Sequence, residues 1–169
     1  MFNTRNFTGV DGRLTIPNQQ NGMDDDTATK YFGEGHVVGR VVNVNVQVFT
    51  ELRPFHQLGA RLPSELRAGN ISIRGSVDRA YINGALLRIM LGQYAQEEEG
   101  AGFQIPTFDI SIGLDNPFFA EGEEGNSMLT VYGAIFDSWQ FNLPENDFVL
   151  EKLTFQARRI SMADTEVPG

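Results

Sequence analysis

The sequence predicts a mainly β protein with one α-helix, and three observations support this fold class. Thirteen Phe and eighteen Gly in 169 residues favour strands and tight turns over a helical bundle. Several segments alternate apolar and polar residues with the period of two that strands require. Helical spacing of apolar residues predicts a helix in one segment only. The length fits a single domain, 1–169, with a core that needs no disulfide.

The charge is unevenly distributed along the chain, and no cysteine is present. The lack of cysteine excludes disulfides, Cys-ligated metals and a thiol nucleophile. Residues 1–88 contain ten Lys and Arg against eight Asp and Glu, whereas residues 89–151 contain twelve Asp and Glu and no Lys or Arg. This acidic segment argues against nucleic-acid binding on the surfaces that it forms. We expect neither a signal peptide nor insertion into a membrane.

The first third of the chain divides into an arm and the start of a β core. Residues 1–35 are rich in Asn, Gly, Asp and Thr, so we expect an extended N-terminal arm that is ordered only where something holds it. Its apolar patch, Leu14 to Ile16, is a candidate for docking onto a partner. The β core is expected to span 36–162 and to be followed by a C-terminal tail at 163–169.

The clearest strand runs from His36 to Thr50. Alternate positions carry Val42, Val44, Val46 and Val48, and the positions between them carry side-chain amides. The pattern gives one apolar face and one face lined by Asn43, Asn45 and Gln47. Amides suit a wet surface that is polar without being strongly charged, where Lys and Glu would otherwise be typical.

The next segment, Glu51 to Gly69, loses the alternation because Pro and Gly recur between apolar residues. It is longer than an ordinary connection, which indicates a functional loop. Three arginines, Arg53, Arg61 and Arg67, lie within it. We interpret the segment as a protruding contact loop with a basic character.

A strand and then a helix follow this loop. Alternation resumes from Asn70 to Asp78, and the apolar spacing then becomes helical over 79–92. Asp78 is a suitable N-cap for this helix, and Gly92 is a suitable stop. The apolar stripe of the helix is expected to cover the open face of a sheet.

The acidic part of the chain is predicted to contain three more strands. Phe108 to Leu114 alternates, and an acidic loop with two Phe follows at Asp115–Asn126. A closing hairpin is predicted from Met128–Phe141 and Asp147–Ile160, joined by the polar turn Asn142–Asp147, in which Pro and Asn favour a turn. These two strands are long by ordinary standards.

Sequence motifs for catalysis or cofactor binding are not found. The glycines near residue 35 lack dinucleotide-binding spacing, and there is neither a P-loop nor a nucleophile elbow. We therefore expect no enzyme, no cofactor and no metal. Two other classes stay open. One is a hydrolase with paired carboxylates, which Asp109→Asn or Asp137→Asn should inactivate. The other is a β-sandwich binding module that uses loop 51–69 or 115–126.

Two segments carry a resemblance to a known family. The hairpin sequence FDSWQFNLPENDFVLEKLTFQARRI (136–160) and the segment SVDRAYINGALLRIMLG (76–92) resemble tail tube proteins of contractile-tailed bacteriophages. The same broad family includes inner-tube proteins of type VI secretion systems and phage-tail-like bacteriocins. The resemblance extends over about residues 36–162 and does not cover the N-terminal arm well. It implies two packed antiparallel sheets with one helix alongside.

The resemblance also implies a structural function. Six copies would form a ring whose inner sheets join into a continuous barrel, and stacked rings would form a hollow tube that conducts DNA into the host. Implied partners are further copies of the chain together with sheath, tape measure, baseplate and tail terminator proteins. The implied location is the tail of a virion assembled from subunits made in the host cytoplasm. The alternative is the inner tube of a related injection machine.

Two groups of residues are candidates for assembly surfaces. A polar or acidic lumen would let DNA pass without phosphate contacts. The lumen candidates are Asn43, Asn45, Gln47, Asp109 and Ser111. For contacts between rings, we expect the basic loop and neighbouring arginines to meet acidic residues of the next subunit, because two different patches propagate head to tail. The inter-ring candidates are Arg53, Arg61 and Arg67 with Glu121, Glu123 and Glu124, and Arg74 and Arg79 belong to the same basic stretch.

Overall fold

Seven strands and one helix make up the described part of the chain in this computed structural model. The structure describes residues 8–9, 12–20, 37–81, 83–91, 106–115 and 125–165. The elements are β1 (Gly12–Gln20), β2 (Val41–Phe55), β3 (Glu65–Ala80), α1 (Ala85–Leu91), β4 (Thr107–Leu114), β5 (Ser127–Asn142), β6 (Leu150–Ala157) and β7 (Arg159–Asp164). The predicted class, mainly β with one helix, is confirmed.

All strand pairings are antiparallel and follow the order β1-β4-β5-β6-β3-β2, with β7 alongside β5. The long strand β5 belongs to two sheets. Its residues 127–134 lie beside β4 and β7 and complete sheet A, which also contains β1. Residues 135–142 pair with β6 and complete sheet B, which also contains β3 and β2. Gly133 lies at the transition with φ of 60°, a backbone conformation that suits glycine.

β6 and β7 together form a nearly continuous strand along β5. β6 pairs with the second half of β5 and β7 pairs with the first half. Only Arg158 separates them, and its N–H donates to the carbonyl of Tyr132 at 3.1 Å. The predicted closing hairpin is therefore present, with a local interruption opposite Gly133.

The boundaries of this hairpin differ from the prediction. Its second strand begins at Leu150 instead of Asp147, because Asp147 and Phe148 belong to the connection 143–149. At the other end, β7 continues to Asp164, past the predicted start of the tail at 163.

The core lies between the two sheets. Phe108 of sheet A contacts Phe136 at a ring-centroid distance of 5.5 Å, and Phe136 contacts Phe155 of sheet B at 6.1 Å. The other buried members of the cluster are Leu14, Ile16, Val38, Val77, Leu86, Ile110, Val131, Ala134 and Leu153. Burial of one large apolar side chain stabilises a fold by about 1.5–3 kcal/mol, so this cluster holds the sheets together. The predicted pair of packed antiparallel sheets is confirmed.

The N-terminal arm differs from the prediction in its middle part. Gly12–Gln20 forms β1, which pairs with β4 of the same chain. Leu14 and Ile16 are buried in the chain's own core, so the patch that was expected to dock onto a partner packs inside the subunit. Thr15 also bridges to Val37. The rest of the predicted arm, residues 1–7, 10–11 and 21–35, lies outside the described residues.

The helix is shorter than predicted. Residues 79 and 80 still belong to β3, and α1 spans Ala85–Leu91. Asn83 is its N-cap, because the side-chain oxygen of Asn83 accepts a hydrogen bond from the N–H of Ala85 at 3.2 Å. The prediction of Asp78 as N-cap is therefore wrong. A membrane span would need a much longer run of apolar helix than the described residues contain.

The strand predicted at 36–50 is β2, which begins at Val41 and continues to Phe55. A register shift between Val41 and Asn43 changes which side chains face the core. As a result Val41, like Val44 and Val46, packs against the core, whereas Val42 is exposed.

Candidate assembly surfaces

The outward side of sheet B carries polar side chains across all four of its strands. The register aligns Asn45, Ser76, Thr154 and Ser138 in one row, and Asn43, Asp78, Lys152 and Gln140 in the next. A third row contains Gln47, Arg74 and Gln156, with Asp137 alongside. We call these twelve positions the polar face. No side chain among them is apolar, whereas the opposite side of the same sheet faces the core.

The charges on the polar face are balanced, and one ion pair joins two of them. Lys152 Nζ lies 3.7 Å from Asp78 Oδ1, and Asn43 donates to the other oxygen of Asp78 at 3.2 Å. Asp137 accepts hydrogen bonds from the hydroxyl of Thr154 and from Gln156 Nε2. The bond from Thr154, the bond from Gln156 and the positive charge of Arg74 lower the pKa of Asp137 below 3.8, although partial desolvation opposes the shift. Two cations and two carboxylates make this face polar with balanced charge, rather than acidic.

The five predicted lumen residues do not share one surface. Asn43, Asn45 and Gln47 belong to the polar face. Asp109 and Ser111 lie on β4 of sheet A, on the side opposite Phe108 and Ile110. Asp109 Oδ1 accepts a hydrogen bond from the N–H of Gly133 at 3.0 Å, which supports the backbone transition in β5.

The segment predicted as a long contact loop, 51–69, is mostly a β-hairpin. β2 and β3 remain paired out to Phe55 and Glu65, beyond the last β3–β6 pair at Ile73. Residues 49–72 therefore project from sheet B, and we call them the projecting hairpin. Its exposed apolar side chains are Phe49, Leu52, Phe55, Leu58, Leu62, Leu66 and Ile71. An exposed apolar surface of this extent indicates a contact site.

The basic character of the projecting hairpin is weaker than the sequence indicated. Arg53 and Arg67 face each other in register, and each pairs with a glutamate two residues away on its own strand. The distance from Nε to Oε1 is 3.0 Å between Arg53 and Glu51 and 3.1 Å between Arg67 and Glu65. Arg61 lies near the exposed tip. The acidic candidates, Glu121, Glu123 and Glu124, lie outside the described residues.

A second exposed apolar area lies at the other end of sheet B. It consists of Tyr81, Phe141, Leu143, Phe148 and Leu150, which we call the end patch. Tyr81 and Phe141 meet edge to face with ring centroids 5.1 Å apart. The end patch lies where β3 and β5 end and β6 begins, since Ala80, Asn142 and Leu150 are aligned in register.

Sequence reasoning missed a buried ion pair whose hydrogen bonds connect four elements. Arg79 Nε donates to Glu151 at 2.6 Å, and Trp139 Nε1 donates to the second oxygen of Glu151 at 3.0 Å. The guanidinium also donates to the backbone and side-chain oxygens of Asn83, both at 3.2 Å. Arg79 and Glu151 are 2% and 1% exposed. The pair therefore fixes β3, β5, β6 and the start of α1 to one another.

This burial corrects the assignment of two arginines to contacts between rings. Arg79 is enclosed within its own subunit, and Arg74 lies on the polar face between Gln47 and Gln156 instead of on the projecting hairpin. The alternation of β3 contained the signal for Arg79: Ile73 and Val77 point inward, so residue 79 must do the same.

The two aspartates that the hydrolase alternative names, Asp109 and Asp137, do not face each other. Asp109 and Asp137 lie on the outward sides of different sheets, and each is held by hydrogen bonds within its own sheet. Among the residues that the structure describes, no three His, Asp or Glu side chains form a group that could hold a metal ion.

No protein-family profile and no curated protein sequence matches the chain. Solved structures do match its fold. A chain of the PVC extracellular contractile injection system, with its sheath/tube terminator in the extended state, has a TM-score of 0.63 at 12% identity, over 94% of this chain and 97% of that one. A chain of the anti-feeding prophage baseplate, 6-fold symmetrised, has a TM-score of 0.59 at 12% identity, over 90% of this chain and 91% of that one. The SPP1 tail tube has a TM-score of 0.58 at 10% identity, over 96% of this chain and 81% of that one. These structures include a contractile injection system and a phage tail tube, and the chain shares their fold.

Proposed function

We propose that this chain is the structural subunit of a hollow tail tube, in which several copies form a ring around a channel bordered by their polar faces. The observation that carries this proposal is the form of sheet B. It has a polar outward side, and within the described residues both of its edges are unpaired: β2 pairs only with β3, and residues 135–142 of β5 pair only with β6. Open edges are a hazard in a monomer and a means of assembly in a ring.

The strand directions suit ring closure. Sheet B has four strands in antiparallel order, β2-β3-β6-β5, so its two edge strands run in opposite directions. When copies are related by rotation about a common axis, β2 of one copy can pair antiparallel with β5 of the next. The alternation then continues around the ring, and a closed barrel removes every edge. Ring closure explains why the outward side is polar, because it becomes the inner wall.

Stacking of rings is supported by the projecting hairpin and the end patch, which lie at opposite ends of sheet B. Contact between two different patches propagates instead of closing, as a tube requires. We propose that the apolar side chains of the hairpin provide most of this contact and that Arg61 at the tip adds charge attraction to acidic residues of the next ring. The candidates Glu121, Glu123 and Glu124, with Arg53 and Arg67 on the hairpin, remain part of this proposal.

The proposed cargo is DNA, and the proposed location is the tail of a virion assembled from subunits made in the host cytoplasm. The partners would be further copies of the chain, with sheath, tape measure, baseplate and tail terminator proteins. We propose six copies per ring, in keeping with the family resemblance and with the 6-fold symmetry named for one of the similar structures. Asn43, Asn45 and Gln47 would border the channel, whereas Asp109 and Ser111 would lie on the other sheet.

A second candidate is the inner tube of an extracellular injection machine. It is favoured by the similarity to chains of the PVC extracellular contractile injection system and of the anti-feeding prophage. The two candidates share the tube and differ in cargo. Packaged DNA in the native particle would support the phage tail, and its absence would support the injection machine.

Negative-stain microscopy of the purified protein, with sedimentation on the same sample, tests the tube directly. Hollow tubes or rings are the expected result. A strictly monomeric protein at high concentration, even with a tail initiator present, would contradict the proposal.

Cross-linking tests the pairing of β2 with β5, because the chain has no native cysteine. In Asn45→Cys/Ser138→Cys, the two thiols lie on the edge strands of the polar face. Within one subunit they are three strand spacings apart, about 14 Å, so a short bismaleimide should link only neighbouring copies. We expect a ladder of linked species from the double variant and none from either single variant. Linked dimers from Asn45→Cys alone would indicate a symmetric β2–β2 contact and overturn the ring.

The stacking contact is tested on the projecting hairpin. Leu58→Ser/Leu62→Ser removes two exposed apolar side chains, and Arg61→Glu/Arg67→Glu reverses two charges. Since these sites do not touch the core, we expect the free energy of unfolding to change by no more than about 0.5 kcal/mol for each substitution. Rings should still form, but tube length in micrographs should fall sharply. Tubes of normal length from both variants would contradict a stacking function of the hairpin.

A further inference from the structure

The polar face contains cations that a channel for nucleic acid would be expected to avoid. Arg74 and Lys152 both lie on it, and an unpaired Lys or Arg would release counterions and bind a phosphate. Copies of the same contact around each ring and along the tube would add up and hold the polyanion in place. If the polar face borders a channel for DNA, some feature of the protein must therefore keep these two side chains from retaining nucleic acid.

Each of the two cations shares the polar face with a carboxylate: Asp78 lies on the strand next to Lys152, and Asp137 lies two strands from Arg74 with β6 between them. Lys152 is directly opposite Asp78 in register, with 3.7 Å between the charged atoms. Arg74 is directly opposite Gln156, whose amide donates to Asp137 at 3.0 Å. Gln156 therefore lies between Arg74 and Asp137, so the two opposite charges flank one amide on the same face.

Uncharged donors keep both carboxylates in these positions. Asn43 donates to Asp78, and Thr154 and Gln156 donate to Asp137. These bonds lie across strands of the sheet, so the carboxylates cannot easily turn away when a phosphate competes for the cation. Because these carboxylates are already held in place, their interaction with a cation costs less side-chain entropy than that of a mobile carboxylate.

We propose that Asp78 and Asp137 mask Lys152 and Arg74, and thereby keep the polar face from binding phosphodiester polyanions. This inference rests on the proposed function, in which the polar face borders the channel. It attributes the low retention of nucleic acid to compensation of each cation by a specific carboxylate on the same face, and not to an absence of cations. Removal of the carboxylates should convert the same surface into a nucleic-acid binding site.

The test compares polyanion binding by wild type and Asp78→Asn/Asp137→Asn. Asn keeps the size of Asp and one acceptor oxygen, so the bond from Asn43 to residue 78 can persist, as can one of the two bonds that residue 137 accepts from Thr154 and Gln156. The probe is a short fluorescent single-stranded DNA, measured by anisotropy with tubes and with unassembled subunits. At about 50 mM salt we expect at least about tenfold tighter binding by the variant, with a steeper loss of affinity as salt rises.

Two controls separate masking from a change in net charge. Glu145→Gln/Asp147→Asn makes the same charge change in the exposed connection 143–149, away from the polar face, and should bind DNA no better than wild type. Adding Arg74→Gln/Lys152→Gln to the Asp78→Asn/Asp137→Asn variant should return DNA binding to the wild-type level. Equal binding by the connection variant, or no gain in the Asp78→Asn/Asp137→Asn variant, would overturn the inference.

These outcomes are distinct from failure of the proposed function. Tubes that form normally from the Asp variant without gaining DNA affinity would reject the masking inference and leave the tube intact. Absence of tubes from wild type would reject the proposed function, while binding to unassembled subunits would still report on the charge pairs.

Discussion

The two ends of β3 carry the same kind of ion pair in opposite surroundings. Near its start, on the projecting hairpin, Arg67 pairs with Glu65 at 3.1 Å with both side chains at least half exposed. Near its end, between the sheets, Arg79 pairs with Glu151 at 2.6 Å with both side chains almost fully buried. An exposed pair is screened by water and contributes little, whereas a buried charge that loses its partner destabilises the fold strongly.

The difference separates fold from assembly along one strand. The inner part of β3 is bounded by the core and by the Arg79–Glu151 pair, so its side chains are constrained by the subunit itself. The outer part has only β2 as a neighbour among the described residues. Substitutions in the inner part should therefore lower stability, and substitutions in the outer part should chiefly alter contacts with other copies.

The largest expected effect comes from Glu151→Gln. The substitution keeps the side-chain shape but leaves the Arg79 charge buried without a counter-charge. We expect the free energy of unfolding to fall by about 3–5 kcal/mol, measured by urea denaturation of the unassembled protein. Glu65→Gln is the matched control on the exposed pair and should cost no more than about 1 kcal/mol. Equal losses from the two variants would show that burial does not distinguish the pairs.

The next effect concerns two glycines of β3. A Cβ at Gly75 would lie 2.5 Å from the carbonyl oxygen of Asn45 and would also collide with the Phe155 ring. Gly75→Ala should therefore cost about 1–3 kcal/mol by overpacking. At Gly69, the nearest atom is a carboxylate oxygen of the exposed Glu51 side chain, which can move. Thermal denaturation should show a clear loss for Gly75→Ala, and a loss of the same size for Gly69→Ala would contradict the comparison.

A smaller effect is expected from Asn83→Ala, which removes both the N-cap of α1 and one acceptor of Arg79. Loss of an N-cap costs about 0.5–2 kcal/mol. Asn83→Asp is the informative companion, because it keeps the capping oxygen and should retain most of the stability. If Asn83→Ala matches wild type in urea denaturation, the link between the buried pair and the helix contributes nothing measurable.

The smallest effect is a pH dependence at Asp137. The pKa of its carboxyl is lowered from 3.8 in the folded protein, so its contribution to stability is present above pH 3.8 and is lost as the pH falls through the lowered value. The stability difference between wild type and Asp137→Asn should therefore shrink in acid. Denaturation curves of both proteins between about pH 2.5 and pH 6 measure it, since model carboxyls titrate in this range. A difference that stays constant with pH would contradict the shift.

Local patterns in the sequence predicted much of the fold, because strands and helices express their periods in neighbouring residues. Alternation located β4 and the inner part of β3, and the amides of β2 were correctly placed opposite its apolar face. The packing of two sheets against each other was predicted from the family resemblance, because periodicity within one strand does not show which sheets pack together. Boundaries failed where a tertiary partner extends an element: β2 and β3 support each other through the segment predicted as a loop.

The sequence by itself determined the β class, the two-faced strands and the polar character of one strand face. Only the tertiary structure decided which residues become neighbours across strands. It buried Arg79 against Glu151, brought Leu14 and Ile16 into the subunit's own core, and separated Asp109 from the amides of β2. These results depend on contacts between residues far apart in the chain, and a repeating local pattern cannot specify which distant strand will lie alongside.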